Sequence, residues 1–263
     1  MEKKQNKFSG FFKKKRTKKE LIYDLILLVS ICVFVFSAFV LIKYFYEIQS
    51  NKNAYEEINN ELVVTDEEGN EVWVWDYSKM AEKYPDIKGW IKLGSGEYIN
   101  YPILQGSDNA YYLDHNAAGE YNGGGAIFMD YRNDMGLEDM NCIIYGHNMR
   151  VGTMFGSLKY FEDTSYYQAN KNFDIYIEDK HYRYEVFAVY YTSASDLDTY
   201  RYDFANADDY FQYLVSSRSK SIIQTDFREL TTEDKILTLS TCTKNDRTQR
   251  MIVQLVRCEE IVD

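Results

Sequence analysis

The pattern of hydrophobic and polar positions divides the chain into an apolar segment near its start and a strand-rich remainder. Residues 25–42 form an uncharged, mostly apolar run of eighteen positions. As a helix rising about 1.5 Å per residue, this run would measure roughly 27 Å, close to the hydrocarbon thickness of a bilayer. Beyond it, short runs rich in Tyr, Phe, Val and Ile alternate with clusters of Gly, Asn and Asp. That alternation is typical of β-strands joined by turns, so the sequence predicts one membrane helix followed by a mainly β domain.

The part of the chain after residue 42 is long enough for one domain with a substantial core. Polar, helix-compatible residues predict helices over 43–60 and 76–84, and apolar residues at helical spacing predict a third over 205–219. Strands are predicted at 98–104, 125–130, 141–146, 172–178, 181–192, 234–242 and 250–257. The first two helices therefore precede the sheet, and the third lies between its fifth and sixth predicted strands.

The flanks of the apolar run predict the topology of the chain. Residues 1–19 carry nine Lys or Arg side chains, and such a basic flank stays on the cytoplasmic side of a membrane. A cleaved signal peptide is the alternative, but the run is longer than a usual signal-peptide core and no clear Ala-x-Ala site follows it. We expect a single-pass protein of the cell membrane with four parts: a cytoplasmic basic head (1–20), a transmembrane signal anchor (21–45), a juxtamembrane linker or helix (46–70) and an extracellular domain (71–263).

Charge restricts the partners of the extracellular part. Residues 43–263 hold 21 basic and 38 acidic side chains, a net charge of −17. A nucleic-acid-binding domain needs the opposite sign, so that class is excluded. The acidic cluster Asp66-Glu67-Glu68 does not match the ligand spacing of an EF-hand loop. We predict a solvated turn there and no metal site.

The four cysteines are too few for a disulfide scaffold. Cys32 lies in the apolar run, and Cys142 and Cys258 lie in or beside predicted strands, where a thiol packs as a small hydrophobic group. A disulfide between these last two is the less favoured alternative. Cys242 remains as the thiol best placed for chemistry.

Cysteine, histidine and arginine each stand at a strand end. Cys242 closes an apolar strand, Arg250 begins the next one, and His147 follows an earlier strand. A free thiol titrates near about 8.5, so a cysteine nucleophile needs a base or positive charge beside it, and His147 can serve. A guanidinium can hold a substrate or an oxyanion. Period-two alternation places Ser240 with Cys242 and Tyr145 with His147, so the three strand ends could line one groove.

Other histidines and arginines compete for these roles. His115 lies in a polar loop and His181 follows a turn, so both are predicted at the surface. Arg247 suits a solvated loop, and Arg257 lies at the far end of the strand that Arg250 begins. We therefore favour Arg250 as the arginine of the site.

The motif TLSTC at 238–242, followed by an arginine at the head of the next strand and preceded by YGH at 145–147, resembles the sortase family of cysteine transpeptidases, and class B most closely. Further matching segments are NYPILQ at 100–105, DNAYYL at 108–113, AIFMDYRN at 126–133 and TMF at 153–155. The resemblance spans roughly residues 85–257. It implies a closed β-barrel of about eight strands with N-terminal helices, one inserted helix between late strands, and a single transmembrane helix before it.

The resemblance also implies roles for individual residues. Cys242, His147 and Arg250 would be catalytic. The positions expected along the sorting-signal groove or beside the nucleophile are Asn109, Leu113, Tyr145, Ser195, Tyr200, Ser240 and Thr243. Thr243 stands where some relatives carry a glutamate.

The function implied is that of a transpeptidase that needs no cofactor. It would cleave a C-terminal sorting motif of secreted proteins through a thioacyl enzyme and join them to a peptidoglycan precursor or another amine, with pilus polymerisation as a variant within the family. Two alternatives stay open at the level of sequence. An extracellular cysteine protease would release the acyl group to water, and a surface binding module would need no nucleophile.

Overall fold

The computed structural model describes residues 17–94, 96–243, 246 and 248–262. Most of the predicted basic head lies outside the described residues. Arg247, which was weighed against Arg250, lies outside them as well. The chain forms two compact units, residues 1–48 and 49–263.

One long helix, α1 (Lys18–Asn60), begins in the first unit and ends in the second. Its apolar part is exposed, and among the described residues it is the helix that could cross a membrane on length and composition. In the second unit Asn51, Tyr55 and Ile58 of the same helix are buried. The predicted helix at 43–60 thus continues the apolar run without a break, because no Gly or Pro interrupts residues 18–60.

The second unit is built on a closed β-barrel. Its strands are β3 (Ile87–Leu93), β4 (Asn100–Leu104), β5 (Phe128–Met129), β6 (Asn141–Tyr145), β7 (Asn172–Ile177), β8 (Lys180–Ser193), β9 (Ile236–Cys242) and β10 (Gln249–Ile261). Around the barrel they follow the order β10-β8-β7-β3-β4-β5-β6-β9. A hairpin of β1 (Val63–Thr65) and β2 (Glu71–Trp73) precedes them, with helices α2 (Tyr77–Lys83), α3 (Thr164–Asn170) and α4 (Ala207–Ser219) and 3-10 turns at Tyr111–Leu113 and Leu158–Glu162.

These elements confirm the predicted fold class. Each predicted strand is present, although the run at 125–130 pairs only over Phe128–Met129. The inserted helix is α4, and the side chain of Asn206 caps its first turn by accepting from the Asp209 N–H. Asp76 caps α2 in the same way.

The pattern missed strand β3. Lys88, Gly89 and Lys92 interrupt its apolar residues, and glycine is uncommon in strand interiors. The structure shows why glycine is needed: a Cβ at position 89 would lie 2.2 Å from the Tyr176 carbonyl oxygen of the neighbouring strand. The residue that weakened the strand signal is therefore the one that lets β3 and β7 approach.

A buried polar network joins the barrel to α4. Thr238 Oγ1 donates to Asn141 Oδ1 at 2.7 Å, and Gln254 Nε2 donates to Thr238 Oγ1 at 3.0 Å and to the Tyr213 hydroxyl at 2.9 Å. These side chains come from β6, β9, β10 and α4. Because each group is buried, each needs a partner to offset its lost hydration.

The same network holds the loop before α4. Tyr213 donates to the Thr199 carbonyl at 3.0 Å, and Asn141 Nδ2 donates to the Arg201 carbonyl at 2.7 Å. The residue between those two carbonyls is Tyr200. Its backbone is therefore fixed on both sides by groups anchored in the barrel.

We expect Asn141→Leu to lower the free energy of unfolding by about 2–3 kcal/mol, because it leaves the buried Thr238 hydroxyl without its acceptor and the partly buried Arg201 carbonyl without its donor. Urea unfolding of the chain in mild detergent measures this. Asn53→Leu on the exposed face of α1 is the control, with an expected change within about 0.5 kcal/mol. An Asn141→Leu protein as stable as this control would contradict the account.

Candidate active site

Strand pairing places Cys242 beside Arg250. Strands β9 and β10 are antiparallel, and Cys242 is directly opposite Arg250 in their register. Side chains at such positions lie on one face, with Cβ atoms about 4.5–5.5 Å apart. Beyond the strands, Thr243 closes the connection by donating its N–H to the Gln249 carbonyl at 3.2 Å and its hydroxyl to the Asp246 carbonyl at 2.7 Å.

The opposite neighbour of β9 brings in the histidine. Strands β6 and β9 are parallel, with Tyr145 paired to Ser240, and the Gly146 N–H donates to the Ser240 carbonyl at 3.2 Å. His147 lies two residues after Tyr145, and Cys242 lies two residues after Ser240. Parallel strands in register end side by side, so the imidazole and the thiol lie at the same end of the barrel.

The histidine is held from two directions. Its Nε2 lies 2.6 Å from the Leu113 carbonyl oxygen, and its own carbonyl accepts from the Phe155 N–H at 3.0 Å. A carbonyl only accepts, so Nε2 carries a hydrogen and Nδ1 is the nitrogen that exchanges a proton in this arrangement. The next residue, Asn148, donates its side-chain amide to the Cys242 carbonyl at 2.8 Å. The histidine loop is thereby tied to the backbone of the nucleophile.

Glycine is required where the histidine meets its partner. Gly125 has φ +56°, and a Cβ there would lie 2.5 Å from the Tyr112 oxygen, 2.8 Å from the Leu113 oxygen and 3.0 Å from His147 Cδ2. Both the backbone conformation and the close approach exclude a side chain at this position.

Cys242, His147 and Arg250 line one cavity of about 350 Å³. Of the predicted groove residues, the cavity wall contains Asn109, Leu113, Tyr145, Tyr200 and Ser240. Its other lining residues are Phe128, Arg132, Gly146, Ala194, Leu197 and Thr241.

Two predicted positions lie outside this wall. Ser195 is exposed, with its hydroxyl 2.8 Å from that of Ser193, while the neighbouring Ala194 lines the cavity. Thr243 is used in the turn between β9 and β10. Neither is brought together with the other groove residues.

The other histidines and the competing arginine lie elsewhere. His115 pairs with Asp114 at 2.7 Å and stacks on a neighbouring tyrosine, and His181 lies 3.2 Å from Asp174 in the β7–β8 hairpin. Arg257 donates to the Tyr184 hydroxyl at 3.1 Å at the opposite end of β10. None of the three lines the cavity.

The remaining cysteines of the second unit are free and distant from the chemistry. Cys142 is buried and Cys258 is exposed, so the alternative disulfide between them is absent. Burial raises the pKa of Cys142. The residue Cys258 is exposed but its sulfur is partly covered, and this partial desolvation, followed by the charge of Glu185, raises its pKa to about 11. Both thiols therefore stay protonated at neutral pH.

The sequence pattern did not identify Asp130, which is fully buried behind the cavity wall. Arg132 donates to it twice at 2.8 Å, from Nε to Oδ1 and from Nη2 to Oδ2. Asn109 Nδ2 and the Tyr145 hydroxyl each donate to Oδ2 at 2.9 Å. Burial raises the pKa of this carboxyl, but the hydrogen bonds, led by those from Arg132, outweigh it and hold the pKa below its ordinary value.

The tyrosines of the wall are neutral phenols. Burial, followed by the charge on Asp130, raises the pKa of Tyr145 well above 10.0, and burial also raises the pKa of Tyr200. The Tyr200 hydroxyl shares a hydrogen bond of 2.9 Å with Ser240 Oγ, and the two tyrosine rings are 6.1 Å apart. Together they form an aromatic wall with fixed polar tips next to the nucleophile.

Comparison with known proteins agrees with this geometry. A sortase domain family model matches residues 93–257. Sortase B of Staphylococcus aureus is 34% identical over 234 residues, covering 88% of this chain and 93% of that relative. Sortase B of Listeria monocytogenes is 39% identical over 171 residues, covering 64% of this chain and 68% of its own.

Solved structures agree as well. The Staphylococcus aureus sortase B–substrate complex matches with a TM-score of 0.71 and 32% identity, covering 81% of this chain and 99% of that one. Clostridium perfringens sortase B matches with a TM-score of 0.66 and 37% identity, covering 70% of this chain and 100% of that one.

The chain belongs to the sortase family, whose members are cysteine transpeptidases. Within that family it is a class B sortase, since these relatives and structural neighbours are sortases B.

We expect Gly125→Ala to lower kcat/KM by about tenfold or more, because the added methyl group displaces the Leu113 carbonyl from His147 and one misplaced group slows catalysis strongly. Steady-state kinetics with a sorting peptide measures this. Gly69→Ala is the control, since that glycine also has positive φ but nothing within 4 Å of an added Cβ. Equal kcat/KM values for the two variants would show that the contact between His147 and the Leu113 carbonyl does not contribute to catalysis.

The carboxylate of Asp130 predicts a pH-dependent contribution to stability. Its folded pKa is depressed, so it stabilises the fold above its unfolded pKa of about 3.9, and that contribution is lost as pH falls through the folded pKa. The gap in unfolding free energy between wild type and Asp130→Asn should be constant above about pH 5 and shrink below about pH 4. Urea titrations across that range measure the gap. A gap that stays constant or widens in acid would contradict the assignment.

Proposed function

We propose that this chain is a membrane-anchored transpeptidase that joins secreted proteins carrying a C-terminal sorting motif to an amine of the cell wall. The observation that carries the proposal is the meeting of Cys242, His147 and Arg250 in one cavity of a class B sortase barrel. Nucleophile, acid–base group and cation are the three parts that acyl transfer needs.

The first half-reaction forms a thioester. The thiolate of Cys242 attacks the carbonyl carbon of the motif's threonine, and the negative charge moves to the carbonyl oxygen. As the tetrahedral intermediate collapses, the C–N bond breaks and the imidazolium of His147 gives its proton to the departing amine. The C-terminal tail leaves, and the N-terminal part of the substrate stays bound to sulfur.

The second half-reaction transfers the acyl group. An incoming amine, from a peptidoglycan precursor or another acceptor, gives a proton to neutral His147 as its nitrogen attacks the thioester carbon. The C–S bond then breaks, which regenerates the thiolate and the imidazolium together. No cofactor enters this balance, because the thioester carries the activated acyl group between the two steps.

Arg250 supplies the charge that this cycle needs. It is cross-strand from Cys242 in the register of β9 and β10 and lines the same cavity. A guanidinium remains protonated throughout and offers several donors, so it can stabilise the oxyanion and hold the peptide. A Lys in its place would present a compact point charge and could not offer the same planar set of donors.

The groove proposed for the sorting signal consists of Asn109, Leu113, Tyr145, Tyr200 and Ser240 around the nucleophile. The solved Staphylococcus aureus sortase B–substrate complex, to which this chain is similar, supports a substrate as the occupant. We include Ser195 and Thr243 only as flanking positions, reached by a longer peptide.

The proposed location is the cell membrane, with the N-terminus in the cytoplasm and the barrel outside. Helix α1 supports this, since its apolar part is long enough to span a bilayer. The proposed parts are the basic head (1–20), the anchor (21–45), the linker (46–70) and the catalytic domain (71–263). In the structure the anchor and most of the linker form one continuous helix.

The experiment is incubation of the chain in mild detergent with a panel of class B-type sorting peptides, with and without an amine, followed by mass spectrometry. We expect cleavage of one peptide and an amine adduct of its N-terminal part, both lost in Cys242→Ala. Cys258→Ala removes an exposed thiol outside the cavity and should keep both activities.

Two outcomes would contradict the proposal. Cleavage that yields only the hydrolysed peptide, at every amine concentration, would indicate a cysteine protease. Peptide binding that Cys242→Ala leaves intact, with no product from the wild type, would indicate a binding module.

A further inference from the structure

The motif AIFMDYRN at 126–133 contains none of the three catalytic residues, yet it places a fully buried carboxylate behind the cavity wall. Asp130 follows β5 directly and is 0% exposed. A buried charge is retained only where its hydrogen bonds offset the lost hydration. The side chains that satisfy Asp130 are Arg132, Asn109 and Tyr145, and all three line the cavity.

The carboxylate fixes the direction of these hydrogen bonds. An ionised carboxylate only accepts, so Tyr145 must donate its hydroxyl hydrogen to Oδ2. The phenol oxygen then has only lone pairs left for another partner. At that point of the wall the groove offers an acceptor, suited to a peptide N–H.

Asn109 is oriented in the same way. Its Nδ2 donates to Asp130 at 2.9 Å, and its Oδ1 accepts from the Tyr131 N–H at 3.0 Å. The amide therefore cannot flip without losing both bonds. Its second N–H is the donor that remains for a peptide carbonyl.

Asp130 also sets the local charge. Arg132 lines the cavity, and its two-bond pairing with the carboxylate cancels the charge of the guanidinium. Two further donors on Oδ2, and the Arg132 backbone N–H on Oδ1, leave the carboxylate fully satisfied. The wall is therefore polar but neutral here, and it favours an uncharged peptide segment over an acidic one.

We propose that Asp130 is a positioning residue for substrate selection: it fixes Tyr145 as an acceptor and Asn109 as a donor, and it neutralises Arg132, so that the groove selects an uncharged sorting peptide. The proposal rests on the proposed function, because it concerns the occupant of the same groove.

The test compares wild type with Asp130→Asn on two peptides, the cleaved neutral sorting peptide and a version with one uncharged polar residue replaced by its acidic counterpart. Asp130→Asn keeps the shape but can donate as well as accept, and it leaves Arg132 positive. We expect KM for the neutral peptide to rise about tenfold or more, with kcat changed less, and the preference for neutral over acidic peptide to fall by about tenfold.

Asp234→Asn is the matched control. Asp234 is also buried and bonded to an arginine, Arg228. It lies just before the first residue of β9, at the end of the strand opposite Cys242, and does not line the cavity. Its substitution should leave KM and the peptide preference unchanged. The alkylation rate of Cys242 by iodoacetamide should stay within about twofold in both variants, since neither acts on the thiol.

Unchanged KM and preference in Asp130→Asn would overturn the inference while leaving the proposed function intact. An equal loss of kcat/KM for both peptides, together with slower alkylation of Cys242, would also overturn it, since that result would indicate a structural role for Asp130. Should Asp130→Asn fail to fold, Tyr145→Phe becomes the deciding variant: a raised KM with unchanged charge preference supports the inference, and an unchanged KM overturns it. A wild type that cleaves neither peptide overturns the proposed function, and this inference with it.

Discussion

The backbone pairing of β9 with a strand on each side is the constraint on which the site depends. Its parallel neighbour β6 carries the chain to His147, and its antiparallel neighbour β10 begins at the residue before Arg250. In a sheet with period two, a shift of one residue turns every side chain to the opposite face. The apolar residues of β9, buried along its length, therefore fix both the core and the position of Cys242.

Buried hydrogen bonds extend this constraint to the groove. The network of Asn141, Thr238, Gln254 and Tyr213 holds the backbone around Tyr200. Asp130 likewise holds Asn109, Arg132 and Tyr145 of the cavity wall. In both cases the bonds of buried polar groups also hold a residue of the cavity wall, so stability of the barrel and order in the site have the same origin. Core and groove cannot be varied independently.

Much of this arrangement follows from the sequence because local patterns specify it. Apolar runs bounded by Gly, Asn and Asp predict most of the strands, and their ends predict Cys242, His147 and Arg250 as candidates for one groove. The other cavity residues were predicted from the resemblance to sortases. Contacts between distant segments leave no such signal. The bonds of Asn148 to Cys242 and of His147 to Leu113 join residues 94 and 34 positions apart. Strand β3 was missed because Gly89 serves packing against β7. Asp130 was missed because two of its partners, Asn109 and Tyr145, are 21 and 15 positions away in the chain.

The measurement that tests the proposed acyl transfer most directly is the intact mass of the protein after brief reaction with a sorting peptide in the absence of amine. The account predicts a covalent adduct equal to the N-terminal fragment of the peptide, located on Cys242 and removed when an amine is added. A protein mass that never changes while peptide is consumed, or an adduct on another residue, would contradict it.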